Sequence, residues 1–115
     1  MIFIIDDDKL MSRCIARACM GHKVKTFTNA IAAMSATDDG LPSLIFLDIL
    51  LDGPDGFTLI NELASYADTI KIPIVIVSSL DLSGMDLASY GVVGVLNKDS
   101  MVPEEILAYA NEYDN

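Results

Sequence analysis

The chain has 115 residues, with 17 Asp and Glu against 7 Lys and Arg and a formal net charge of −10. That length predicts a single domain over 1–115, large enough to bury a core without a disulfide or structural metal. An apolar content of 52% excludes intrinsic disorder, and the acidic balance excludes direct binding to nucleic acid or an anionic membrane, which needs clustered Lys and Arg.

Met1-Ile2-Phe3-Ile4-Ile5 is apolar but stops at Asp6 with no basic residue ahead of it, which is not a secretory signal. Residues 2–5 read as a strand. A helix follows, with Leu10, Met11, Cys14, Ile15 and Ala18 as its apolar stripe and Lys9, Ser12, Arg13 and Arg17 opposite. Cys14 and Cys19 lack the C-x-x-C spacing and read as reduced thiols of a cytoplasmic protein. His22 follows Gly21 in a turn, away from the exposed helix face that a phosphorelay histidine needs. Residues 23–27 alternate, with two lysines on one face, as suits an edge strand.

Asn29 caps a short helix to Ala36, whose alanines read as close helix packing. Residues 44–47 and 74–77 are continuously apolar strands, covered on both faces. Between them Phe57, Ile60, Leu63, Ala64 and Ala67 stripe a third helix. Residues 81–90 read as a weaker helix, carrying Ser83-Gly84 inside it and stopped by Gly91. Residues 92–96 form a fifth strand, and Pro103-Glu104-Glu105 opens the last helix, with acids at its positive dipole end. Five strands alternating with five helices imply a parallel sheet covered on both faces. No apolar run approaches a membrane span.

In an open α/β sheet, ligands sit at the carboxyl ends of the strands. The first strand ends in Asp6-Asp7, the third in Asp48, the fourth in Ser78 and the fifth in Asn97-Lys98. Three crowded carboxylates repel one another unless a cation sits among them, and an oxygen donor set of this kind suits hydrated Mg²⁺. A lysine and a hydroxyl beside it match the oxygens of a phosphoryl group, and a carboxylate is a nucleophile that forms an acyl phosphate. Asp48 stands out, because a carboxylate between Leu44-Ile45-Phe46-Leu47 and Ile49-Leu50-Leu51 is costly unless it is used.

The motifs Ile4-Ile5-Asp6-Asp7, Phe46-Leu47-Asp48, Asp55-Gly56-Phe57, Val77-Ser78-Ser79 and Leu96-Asn97-Lys98, in this order and spacing, resemble the receiver domain of two-component response regulators. The resemblance implies a flavodoxin-like fold with strand order 2-1-3-4-5. It makes Asp48 the phosphoacceptor, Asp6 and Asp7 the acidic pair holding Mg²⁺ with the main-chain carbonyl of Leu50, Ser78 the switch hydroxyl that follows the phosphoryl group and Lys98 the lysine that pairs with that group. It implies a sensor histidine kinase or phosphotransfer protein as phosphodonor, an effector domain or output protein as recipient, and allows a phosphorylation-dependent homodimer. It also implies a module that catalyses its own phosphorylation and dephosphorylation and turns over no external substrate.

The chain departs from the family pattern at several places. Asp52 stands where a proline is usual, with Pro54 nearby, so the loop after Asp48 is expected to bend differently. Val95 occupies the aromatic switch position, and Asp99-Ser100 follow Lys98 in place of the frequent proline. Leu50 and Leu80 are apolar where the pocket rim is often polar. Without an aromatic switch, phosphorylation is expected to act through Ser78-Ser79 and a rearranged helix over 81–90. The alternative within the family is a degenerate receiver that works as a phosphorylation-independent interaction module. A flavin mononucleotide carrier would place Asp6-Asp7-Asp8 against a phosphate, and an aspartyl-phosphate hydrolase would want an acid where Leu50 stands.

Overall fold

The computed structural model describes residues 1–51 and 55–115, so Asp52 and Pro54 and the bend expected there lie outside the described residues. Five parallel strands form one sheet: β1 (Ile2–Ile5), β2 (Val24–Phe27), β3 (Leu44–Leu47), β4 (Ile74–Ser78) and β5 (Val92–Asn97), in the order β2-β1-β3-β4-β5. Every residue of β1, β3 and β4 is buried, as their unbroken apolar sequences require of strands with cover on both faces. The edge strand β2 leaves Lys25 exposed, its ammonium 5.6 Å from the centre of the Phe27 ring.

Four α-helices cover the sheet: α1 (Lys9–Ala18), α2 (Ala30–Ala36), α3 (Gly56–Ala64) and α4 (Pro103–Tyr113). Alternate strand residues divide the core into two layers. Phe3, Ile5, Ile45, Leu47 and Ile76 pack with Ala33, Leu59 and Leu63 of α2 and α3. Ile2, Ile4, Phe46, Val75 and Val77 pack with Ile15, Ala18, Ile106 and Ala110 of α1 and α4. The helix starts are set locally. Asp8 Oδ1 accepts the N–H groups of Leu10 and Met11, Asn29 Oδ1 that of Ala32, and Asp55 Oδ1 that of Thr58. Before α4, Glu105 Oε1 reaches back to the Val102 N–H at 3.0 Å.

Three expectations need correction. Residues 81–90 do not form an α-helix; only a single 3₁₀ turn, Ala88–Tyr90, is helical there. Asp81 Oδ1 accepts the Ser83 N–H at 2.9 Å and Gly84 takes φ +84°, so the segment turns where a helix would have to start. The stripe of α1 is also rotated: Leu10 and Cys14 are exposed, while Ser12 is buried with its hydroxyl directed at the Asp6 carbonyl, 3.4 Å away. Finally, Ala30 and Ala33 lie against the sheet, but a cleft of about 630 Å³ separates the outer parts of α2 and α3.

Candidate functional site

Strand register brings the chemistry together. Ile5 pairs with both Phe27 and Leu47, and the Asp48 N–H donates to the Ile5 carbonyl at 2.9 Å, so Asp6 and Asp48 leave adjacent strands at one level. Ser78 pairs with Asn97, and the Lys98 N–H donates to the Ser78 carbonyl at 3.1 Å, which puts those two residues on the same edge.

Asp6, Asp48 and Ser78 are buried, Lys98 is half-buried and Asp7 is exposed. The Lys98 ammonium lies between two carboxylates, 3.2 Å from Asp6 Oδ2 and 3.2 Å from Asp48 Oδ2. The other oxygens are held by backbone: Asp6 Oδ1 accepts the Asp8 N–H at 2.9 Å and Asp48 Oδ1 the Leu50 N–H at 3.1 Å. Ser78 Oγ accepts the Leu80 N–H at 3.1 Å. Burial raises the Asp6 pKa, the Asp8 N–H opposes that, and the Asp48 charge raises it further. Burial would lower the Lys98 pKa, but the combined pull of Asp6 and Asp48 prevails and it is raised. The Lys98 side chain is therefore a fixed cation.

One ammonium does not neutralise three carboxylates. Oxygens of Asp6, Asp7 and Asp48 lie within 4.8 Å of one another, the one such grouping among the described residues. Asp6 Oδ2 is buried, and the partner it meets is the Lys98 ammonium at 3.2 Å. A hard divalent cation with oxygen preference fits this set. Close packing holds the site on its far side: a Cβ on Gly56, the first residue of α3, would fall 2.8 Å from the Asp48 carbonyl and 2.7 Å from the Ile49 Cα. Only glycine lets α3 start this close to the end of β3.

The sequence matches the response regulator receiver domain over residues 2–111. The chain belongs to that family. Receiver domains are signalling modules of two-component systems, not classical enzymes, and they bind Mg²⁺ or Mn²⁺ at an acidic pocket. Among curated relatives, the response regulator PleD of Caulobacter vibrioides is 29% identical over 85 residues, covering 72% of this chain and 19% of PleD. The transcriptional regulatory protein TcrA of Mycobacterium tuberculosis is 34% identical over 64 residues, 54% of this chain and 25% of TcrA. The matched stretch is thus a quarter or less of those relatives' length.

Solved receiver structures share the fold. The receiver domain of NtrX from Brucella abortus superposes with a TM-score of 0.84 at 24% identity, over 98% of this chain and 97% of that one. The chemotaxis protein CheY4 of Vibrio cholerae gives 0.85 at 16% identity, over 97% and 96%. The Mn²⁺-bound response regulator Rcp1 gives 0.76 at 22% identity, over 96% and 88%. The flavodoxin-like fold with strand order 2-1-3-4-5 is shared with these domains.

Every strand-end residue singled out from sequence reaches this edge. Val95 is 45% exposed and lines a groove with Ser78, Leu80 and Asn97, and among the described residues no helix contributes to that lining. Sequence reasoning missed Ser12, whose hydroxyl is directed at the Asp6 carbonyl beneath the acidic pair. The sequence carried no signal for this, since Ser12 falls among Lys9, Arg13 and Arg17 on the side opposite the apolar stripe. Sequence reasoning also missed His22, whose ring bonds Asp114 and Asn111 at the opposite end of the sheet. Among the described residues no helix is long and apolar enough to cross a membrane.

Proposed function

We propose that this chain is one phosphoacceptor unit that takes a phosphoryl group from a phosphohistidine of a sensor kinase or phosphotransfer protein onto Asp48. The observation that carries this reading is the Lys98 ammonium held 3.2 Å from both Asp6 and Asp48, a cation fixed beside the nucleophile. An Asp48 carboxylate oxygen attacks phosphorus, the phosphorus–nitrogen bond breaks, and its electron pair returns to the imidazole of the donor. Lys98 pairs with the phosphoryl oxygens as their charge develops, and the Ser78 hydroxyl turns from the Leu80 N–H to donate to one of them. Asp6, Asp7, Asp48 and the Leu50 carbonyl would hold Mg²⁺, which when bound supplies charge neutralisation between the carboxylates and the phosphoryl group. The same pocket, open at exposed Asp7, admits the water that hydrolyses the acyl phosphate and resets the unit.

The output is a shift between two conformers, biased by the new contacts of Ser78 and Lys98. Recipients are an effector domain on a longer chain, a separate output protein or a second copy of this unit, and the setting is the cytoplasm. Labelling with acetyl phosphate or phosphoramidate in the presence of Mg²⁺ tests the assignment. The parent incorporates phosphate and Asp48→Asn does not. Equal labelling of the two overturns Asp48 as acceptor, and no labelling of either favours an interaction module that works without phosphorylation.

A further inference from the structure

The cleft between α2 and α3 takes no part in the chemistry proposed above. It is lined from α2, α3 and the 3₁₀ turn Thr69–Lys71, and none of Asp6, Asp7, Asp48, Ser78 or Lys98 borders it. Its origin is local. α2 has only seven residues, and the two it buries against the sheet, Ala30 and Ala33, are small. The floor is aliphatic, from Met34 and Leu59, and those two side chains also line a narrow seam that reaches Phe3 and Ile45 in the core. Ile31 is 67% exposed and Tyr66 53% exposed on its borders, a large apolar outlay for a solvated face.

The charges around this floor have one sign. Asp38, Glu62 and Asp68 line the cleft, and no Lys or Arg does. None of the three makes an ion pair among the described residues. These features narrow the occupant. An anion or an acidic partner is repelled, and a second copy of this chain would bring the same acids and a formal charge of −10. A bare metal ion has no reason to settle here, because the described grouping with ligand spacing is Asp6, Asp7 and Asp48. What satisfies both floor and rim is a segment with one or two apolar side chains flanked by Lys or Arg.

We propose that the α2–α3 cleft is a docking groove for a basic, amphipathic segment of a partner protein, with its apolar side chains on Met34 and Leu59 and its cations against Asp38, Glu62 and Asp68. This surface is separate from the phosphoacceptor edge and holds its partner whether or not Asp48 is phosphorylated.

The probe is a synthetic peptide with leucines and lysines at helical spacing, titrated into the isotope-labelled full chain and followed by amide and methyl chemical shifts. Saturable shifts are expected at residues 30–38 and 58–69, weakening with salt. The double variant Asp38→Lys/Glu62→Lys should lose about tenfold or more in affinity, whereas Glu104→Lys/Glu112→Lys on α4 should stay within about twofold of the parent. A matched peptide with serine in place of leucine should bind about tenfold more weakly, since the floor would then go unused. Shifts spread over the whole acidic surface, equal losses from both double variants, or equal binding of the serine peptide would each overturn the proposal. Asp48→Asn should bind the peptide as the parent does, so the outcome is independent of the phosphoacceptor reading.

Discussion

The two ends of the sheet handle a carboxylate in opposite ways. At the carboxyl end, Asp6 and Asp48 share one lysine with Asp7 close by, and the Asp6 pKa is raised by burial and then by the Asp48 charge. At the amino end, Asp114 collects the Ser43 hydroxyl, the His22 imidazole at 2.7 Å and the Met1 amino group at 2.9 Å. Its pKa is lowered far below the usual carboxylate range, first by Ser43, with burial opposing and His22 and the amino group adding to it. The first end leaves negative charge over and so keeps a capacity to bind cations. The second uses its charge up, tying the end of α4 to the start of β1 and to the turn before β2. Binding capacity and stability come from the same side chain in different company.

Removing the well-satisfied carboxylate should do the most damage. Asp114→Ala strips partners from Ser43, His22 and the amino group, and after allowance for solvent screening it should cost about 2 kcal/mol. A domain of this size would then melt lower by roughly 10 °C. A loss below about 0.5 kcal/mol in urea titration would mean that the clasp is surface decoration. At the other end the sign reverses. Asp48→Asn removes a charge that has too few partners, so without divalent cations it should stabilise the fold by about 1 kcal/mol. Adding Mg²⁺ should raise the parent's melting temperature more than the variant's. A destabilised variant, or equal Mg²⁺ shifts, would remove the distinction between the ends.

How much of this was legible in the sequence follows from the range of each interaction. Strands β1, β3 and β4 announce themselves by unbroken apolar runs, and a parallel sheet places whatever follows each run on one edge. The gathering of Asp6, Asp48, Ser78 and Lys98 was therefore readable, while their roles stand as proposals. Residues 81–90 depart from the weak helix expected of them because the Asp81–Ser83 turn and Gly84, both local features, bend the chain there. The buried Ser12 and the His22–Asp114 pair were not readable. One depends on a hydroxyl finding a carbonyl six residues back, the other on side chains 92 positions apart. The cleft over α2 was hidden too, since alanine spacing says where a helix is thin but not whether its neighbour closes the gap.

The smallest effect concerns His22, and its pH dependence separates a charged clasp from a merely polar one. Both ring nitrogens meet oxygens, Nδ1 facing Asp114 Oδ2 at 2.7 Å and Nε2 facing Asn111 Oδ1 at 2.8 Å. The groups around it from α4 and the chain start are Asp114, Asn111 and the Met1 amino group, with Cys19 just before it in the chain. Burial, and next the Asp114 charge, push that thiol up to about 11, so it stays neutral throughout. The His22 pKa is raised from 6.5, first by Asn111 and then by Asp114. A raised folded pKa means that protonation favours the fold. The contribution is complete below 6.5 and is lost as pH climbs through the higher folded value. His22→Gln keeps a donor for Asp114 but cannot titrate. The stability gap between parent and variant should therefore be widest near about pH 6 and close toward about pH 9. A gap that stays constant across that range would show that His22 holds α4 by shape and neutral hydrogen bonding, and that Asp114 needs only Ser43 and the amino group to keep its charge.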